Sequence, residues 1–180
     1  MIINYKECIE KYGNAYQLNK VMEEGFLYKI EEGIYSEDKY ESELAVLMKK
    51  YPKTVITGEY AFYVHGLTDL VPDKYTLATG QKAAPITDVR VQQIYVRNDL
   101  LYLGAVKQET EDAAVLIYDR ERMLIELLRN KNKIPHDLYK EILYNYRKII
   151  EKLEMWRIQE YAEIFPKSKM IKKALDEEVM

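Results

Sequence analysis

Three glycines punctuate the first 35 residues, and their placing constrains what the start of this chain can fold into. A helix-spaced stretch over 4–12, with Ile9 and Tyr12 on one side, runs into Gly13. Asn14 then stands as an N-cap for a second helix through Glu24, because its short side chain can accept from the free N–H groups of a first turn. Leu18, Val21 and Met22 face inward on that helix. Gly25 suits the left-handed residue that ends a helix. Residues 26–30 and Ile34-Tyr35 read as two short strands, joined by a three-residue turn, Glu31-Glu32-Gly33. Helix, turn, helix, hairpin is the outline of a helix-turn-helix with a wing.

The rest of the chain carries a different pattern. Ser36 can cap a third helix running to about Tyr51, with Tyr40, Leu44, Leu47, Met48 and Tyr51 on one stripe and Pro52 closing it. Between 54 and 118, β-branched and aromatic residues predict strands at 54–57, 75–78, 91–97 and 113–118, with an edge segment at 105–110. A helical turn or two is expected at 60–65, and a loop containing Pro85 at 80–88. Asp119 reads as the N-cap of a helix that buries Met123, Leu124, Leu127 and Leu128. Helices follow at 137–153, at 154–165 up to Pro166, and from about 168 to 178. The reading is α+β: an N-terminal winged helix-turn-helix with a linking helix over 1–51, then a mixed α/β domain with a helical C-terminal part over 52–180.

Composition excludes several classes. A hydrophobic content of 48% against 32% charged residues supports a packed core rather than disorder. The net charge of -3 excludes a wholesale cationic coat for nucleic acid. A single cysteine, Cys8, permits no internal disulfide and no cysteine-based zinc site, which fits a reducing cytoplasm. No apolar run approaches the roughly 20 residues needed to cross a bilayer, so no membrane association is expected. Nor does a catalytic set assemble. His65 and His136 have no converging partners in sequence, and His65-Gly66 reads as the end of a short helix. Asp69 and Asp73 lack the close pairing that two-metal chemistry needs. Glu59, Asp69, Asp88, Glu109 and Lys107 lack the spacing of a metal-dependent nuclease. No enzyme, metal or cofactor is expected.

Four segments carry a resemblance that spans nearly the whole chain. They are Glu24-Gly25-Phe26-Leu27 with Glu32-Gly33-Ile34-Tyr35; the run from Tyr60 through His65-Gly66-Leu67-Thr68-Asp69 to Pro72 and Tyr75-Thr76; Ile94-Tyr95-Val96; and Tyr118-Asp119-Arg120-Glu121-Arg122 leading to Glu126-Leu127-Leu128-Arg129 and Lys133. The second and fourth are the specific ones. On these the chain resembles the AbiEi antitoxin family of bacterial abortive-infection, type IV toxin–antitoxin systems, which serve in phage defence. The resemblance implies an antitoxin that counters a toxin of nucleotidyltransferase fold. It also implies a transcriptional regulator that represses its own operon by binding an inverted repeat of operator DNA, as a monomer or weak dimer.

Candidate DNA-contacting residues lie on the second helix and the wing: Asn14, Tyr16, Gln17, Asn19, Lys20 and Lys29. Asn and Gln can pair bidentately with adenine, and Lys takes phosphate or guanine. The wing departs from a basic pattern through Glu31-Glu32 and Glu37-Asp38, and residues 1–53 hold 8 lysines against 10 acids. Phosphate affinity therefore rests on how those charges segregate. A second basic stretch, with Arg129, Lys131, Lys133, Lys140, Arg147 and Lys148, offers a nucleic-acid or partner surface. The alternative reading is a protein-interaction module that neutralises a toxin or its RNA target, with a degenerate DNA-binding head.

Overall fold

Capping side chains set the helix boundaries of the N-terminal part. The computed structural model describes residues 1–179, and they form an α+β fold. The chain divides into two compact units: Met1–Thr54 with Glu109–Val115, and Val55–Gln108 with the chain from Leu116 onward.

In the first unit, strand β1 (Ile2–Asn4) leads directly into helix α1 (Tyr5–Tyr12). Asn4 and Glu7 form a capping box: the Glu7 N–H donates to Asn4 Oδ1 at 3.0 Å, and the Asn4 N–H donates to Glu7 Oε2 at 2.6 Å. Gly13, at φ 94°, turns the chain into α2 (Ala15–Glu23), whose first turn is closed by Gln17 N–H donating to Asn14 Oδ1 at 3.0 Å. Strands β2 (Tyr28–Glu31) and β3 (Ile34–Ser36) follow, then α3 (Glu43–Lys50). The antiparallel sheet has the order β1-β3-β2, with Ile3 opposite Tyr35 and Lys29 opposite the same residue on the other side. Ile3, Cys8, Leu18, Leu27 and Tyr35 make its core, with Ile9, Val21 and Met22 packed against it.

Three local expectations change. The helix expected from Ser36 begins at Glu43. Ser36 is held in β3 opposite both Ile2 and Tyr28, where its hydroxyl bonds the Glu41 carboxylate, and Ser42 caps the helix instead, accepting from Ala45 N–H at 3.1 Å. Tyr40, placed on the buried stripe by its spacing, is 82% exposed. The hairpin turn is two residues, Glu32-Gly33, because Glu31 already pairs with Ile34 past a bulge. Strand β1 has no counterpart in the sequence reading, since three residues are too short to show a period and their partner lies beyond position 33.

In the second unit, β4 (Val55–Ile56), β5 (Tyr75–Gly80), β6 (Val91–Val96), β7 (Ala105–Glu109) and β8 (Ala114–Tyr118) form a mixed sheet of order β6-β5-β4-β8-β7. β4 runs antiparallel to β5 and parallel to β8, and β5 runs parallel to β6. Helix α4 (Gly58–Val64) follows β4 at once, so Gly58 must take φ +61° where an added Cβ would stand 3.0 Å from the Thr76 side chain. Helix α5 (Arg120–Arg129) is buried on nearly every side, including Met123, Leu124, Ile125, Leu127 and Leu128. Each such side chain contributes about 1.5–3 kcal/mol relative to exposure. A 3-10 turn (Lys131–Lys133), α6 (His136–Ile149), a second 3-10 turn (Ile150–Lys152), α7 (Met155–Ile164), α8 (Ser168–Ala174) and a π-helical turn (Leu175–Val179) complete the unit.

Candidate functional site

The exposed face of α2 presents Tyr16, Gln17, Asn19 and Lys20, while Leu18 is buried beneath them. Tyr16 is 74% exposed. Asn14 is at the surface too, but its side-chain oxygen is committed to the cap. The lysines are mixed with acids. Lys20 Nζ lies 4.0 Å from Glu24, and Lys29 Nζ donates to Glu32 Oε2 at 2.6 Å, a bond that raises the ammonium pKa above its ordinary value. Lys6, Lys11, Lys49 and Lys50 pair with Glu10, Glu37, Glu7 and Glu31. The segment 109–115 that joins this unit adds three acids and no base. Pairs between exposed groups are each worth only about 0–1 kcal/mol, so an incoming phosphate can compete for the lysines.

The C-terminal basic residues divide into three groups. Lys131 Nζ donates to Glu178 Oε1 at 2.8 Å and Arg147 Nε donates to the Glu178 carbonyl at 2.7 Å; Tyr139 OH donates to the same carboxylate at 2.7 Å. Their charge is used in anchoring the C-terminal turn. Lys148 lies 4.0 Å from the Tyr144 ring centroid, and Lys140 is exposed on the same helix. Arg129 and Lys133 instead line a cleft.

The two most specific sequence segments prove to be interlocked. His65 caps the C-terminus of α4, and its Nε2–H donates to the Tyr118 carbonyl at 2.6 Å. Arg120 Nη2 donates back to the His65 carbonyl at 3.2 Å, and Tyr146 OH donates to the Arg120 carbonyl at 2.8 Å. Burial lowers the His65 pKa, so the ring is held neutral. Asp119 caps α5 by accepting from Arg122 N–H at 2.7 Å, and also accepts from Tyr161 OH at 3.0 Å. Burial raises its pKa. Glu121 accepts at 2.9 Å from the N–H of Glu154, the residue just before α7. Each polar side chain has a structural partner.

Arg122 is the centre of this region. It is fully buried, with its guanidinium 4.3 Å from the Tyr118 ring centroid and 4.0 Å from that of Phe165. Its Nη1 donates to the carbonyls of Leu100 and Leu103 at 3.0 and 3.1 Å, and Nε donates to Glu126 Oε1 at 3.0 Å. Nη2 lies 2.9 Å from the same oxygen, without hydrogen-bonding geometry. Arg122 and Glu126 stand four residues apart on one helix face, so they meet across a single turn. The stacking did not show in sequence, because Phe165 comes from another helix end.

The cleft, of about 590 Å³, lies between the sheet and the C-terminal end of α5. Phe62, Leu100, Met123 and Phe165 give it an apolar floor, and Arg97, Arg129, Lys133, Glu59 and Gln92 are among its polar lining. Glu126 answers both Arg122 and Arg129, the latter at 3.2 Å, so one carboxylate serves two guanidiniums. Sequence reasoning selected Arg129 and Lys133 but not Arg97, Glu59 or Gln92, which come from separate elements and share no motif. Among the described residues no cluster of three or more His, Cys, Asp or Glu side chains could hold a metal ion, and no helix is long and apolar enough to cross a membrane. No known family model matches the chain, and no curated protein shows significant similarity to it.

Proposed function

We propose that this protein is an antitoxin of a toxin–antitoxin system that also represses its own operon through the first unit, as its resemblance to the AbiEi family implies. The observation that carries the DNA-binding part is the connectivity strand–helix–helix–strand–strand with sheet order β1-β3-β2. That connectivity supports a winged-helix reading, in which the second helix would read the major groove and the β2–β3 turn would be the wing. Gln17 and Asn19 on α2 are the base-reading residues, and Lys20 and Lys29 take phosphate. Two copies on an inverted repeat give the operator its two-fold symmetry. The second unit acts on the toxin of nucleotidyltransferase fold, without catalysis of its own.

The ion pairs favour a second reading. At least six of the eight lysines in the first 54 residues are held by acids, which weakens any positive face. In that reading the head is degenerate and the whole protein is an interaction module for the toxin or its RNA target. A promoter–reporter fusion with the toxin gene co-expressed separates the two. The repressor reading expects Gln17→Ala to relieve repression and leave protection from the toxin intact. Repression unchanged by Gln17→Ala, Lys20→Ala and Lys29→Ala together, with protection retained, would favour the interaction module.

A further inference from the structure

We propose that the cleft of the second unit binds a nucleotide whose base carries an exocyclic amine. The site is built from the second unit alone and does not depend on the DNA-reading head. Its volume, about 590 Å³, falls in the range of small-molecule sites and far exceeds a bare phosphate.

The charge of the lining is asymmetric. Arg129, at the C-terminal end of α5, shares the single carboxylate of Glu126 with Arg122, which is buried behind the lining, and the remaining acceptor capacity of Glu126 is used by Asn130 Nδ2 at 3.1 Å. Lys133 lines the same cleft with no ion-pair partner among the described residues. Arg97 adds a guanidinium paired, among the described residues, only to the exposed Asp99. This end therefore holds excess positive charge with a guanidinium fork available, the arrangement that suits phosphate oxygens. Glu59 is also in the lining, where the cleft continues past Thr76 and Gln92 toward Asp73 and Lys74. Its carboxylate has no hydrogen-bond or ion-pair partner among the described residues, so it is free to accept from a ligand N–H. The exposed side chains of Ile94 and Tyr95 in the lining offer a surface for a flat ring. A ligand that spans this cleft has an anionic group, an apolar ring and a hydrogen-bond donor. Adenine, cytosine and guanine nucleotides have all three, with the exocyclic amine as donor, whereas in a uracil nucleotide only the ring N3–H can donate.

Isothermal titration calorimetry of the full chain with ATP, UTP and inorganic pyrophosphate tests this. ATP is expected to bind more tightly than UTP or pyrophosphate, by roughly tenfold for one charged hydrogen bond. Lys133→Glu should weaken ATP and UTP alike by about tenfold or more, through reversal of a charge at the phosphate end. Glu59→Ala should erase the preference for ATP over UTP. Both side chains lack hydrogen-bond or ion-pair partners among the described residues, and an unchanged urea midpoint will show that each variant is folded. No binding of ATP at millimolar concentration, or affinity unchanged by Lys133→Glu, would overturn the site. Equal affinity for ATP and pyrophosphate would overturn the nucleotide, and equal affinity for ATP and UTP would overturn the role of Glu59.

Discussion

Arg122 shows how one side chain can organise a domain. Its guanidinium is removed from water, and the cost is offset by two carbonyls, one carboxylate and two aromatic faces. Replacing it leaves those partners buried and unpaired, so Arg122→Met is expected to lose about 3–5 kcal/mol in urea unfolding. Arg122→Lys keeps the charge but not the planar fork, and most of the loss should remain. A loss below about 1 kcal/mol for both would mean the stack is incidental. His65 gives a pH signature. Its pKa is lowered in the folded state by burial, so the unfolded chain takes up the proton first as pH falls. Stability from this group is complete above the unfolded value near 6.5 and is lost as pH drops below it, at most about 1.4 kcal/mol by pH 5.5. His65→Gln keeps a donor for the Tyr118 carbonyl and does not titrate. The stability lost between pH 7.5 and 5.5 should therefore be smaller in the variant than in the parent, and an equal loss would contradict the assignment.

Elements were legible where local chemistry decides them. The caps at Asn14 and Asp119 were readable because an Asn or Asp before a helix-spaced run has one good use. The apolar face of α5 was readable from its period, whereas the burial of Arg122 on the same helix was not, since it depends on Phe165 and two loop carbonyls distant in sequence. The start of α3 failed for a related reason. Ser36 and Ser42 are both acceptable caps, and pairing of β3 with β1 decides between them. The cleft was the least visible feature, as its lining is assembled by the sheet order. Close approach between elements sets a further expectation. Gly104 and Gly66 both have positive φ, but a Cβ at Gly104 would meet Arg122 Cβ at 2.8 Å, while Gly66 faces open space. Gly66→Ala should cost about 1 kcal/mol for the backbone alone, and Gly104→Ala clearly more. The reverse order in urea midpoints would contradict the packing of the Gly104 turn on α5.

At the scale of the whole molecule, charge decides what the first unit can do. Its lysines are individually available to phosphate and collectively neutralised by neighbours, so on the repressor reading affinity would come from few contacts and salt dependence would be shallow. On that reading base contacts would carry a large share of specificity, which makes Gln17 the informative residue. Asn14 is not, because Asn14→Ala removes the α2 cap and costs about 1 kcal/mol of stability whatever the DNA does. The central claim is tested by fluorescence anisotropy with the upstream DNA of the protein's own operon against a scrambled duplex, across a salt series. The winged-helix repressor expects tighter binding to the native duplex, a log–log salt slope of about -2 for two lysine contacts, and a roughly tenfold loss of preference in Gln17→Ala. Equal binding to both duplexes at every salt concentration would contradict it, and would move the function to the second unit and its partner.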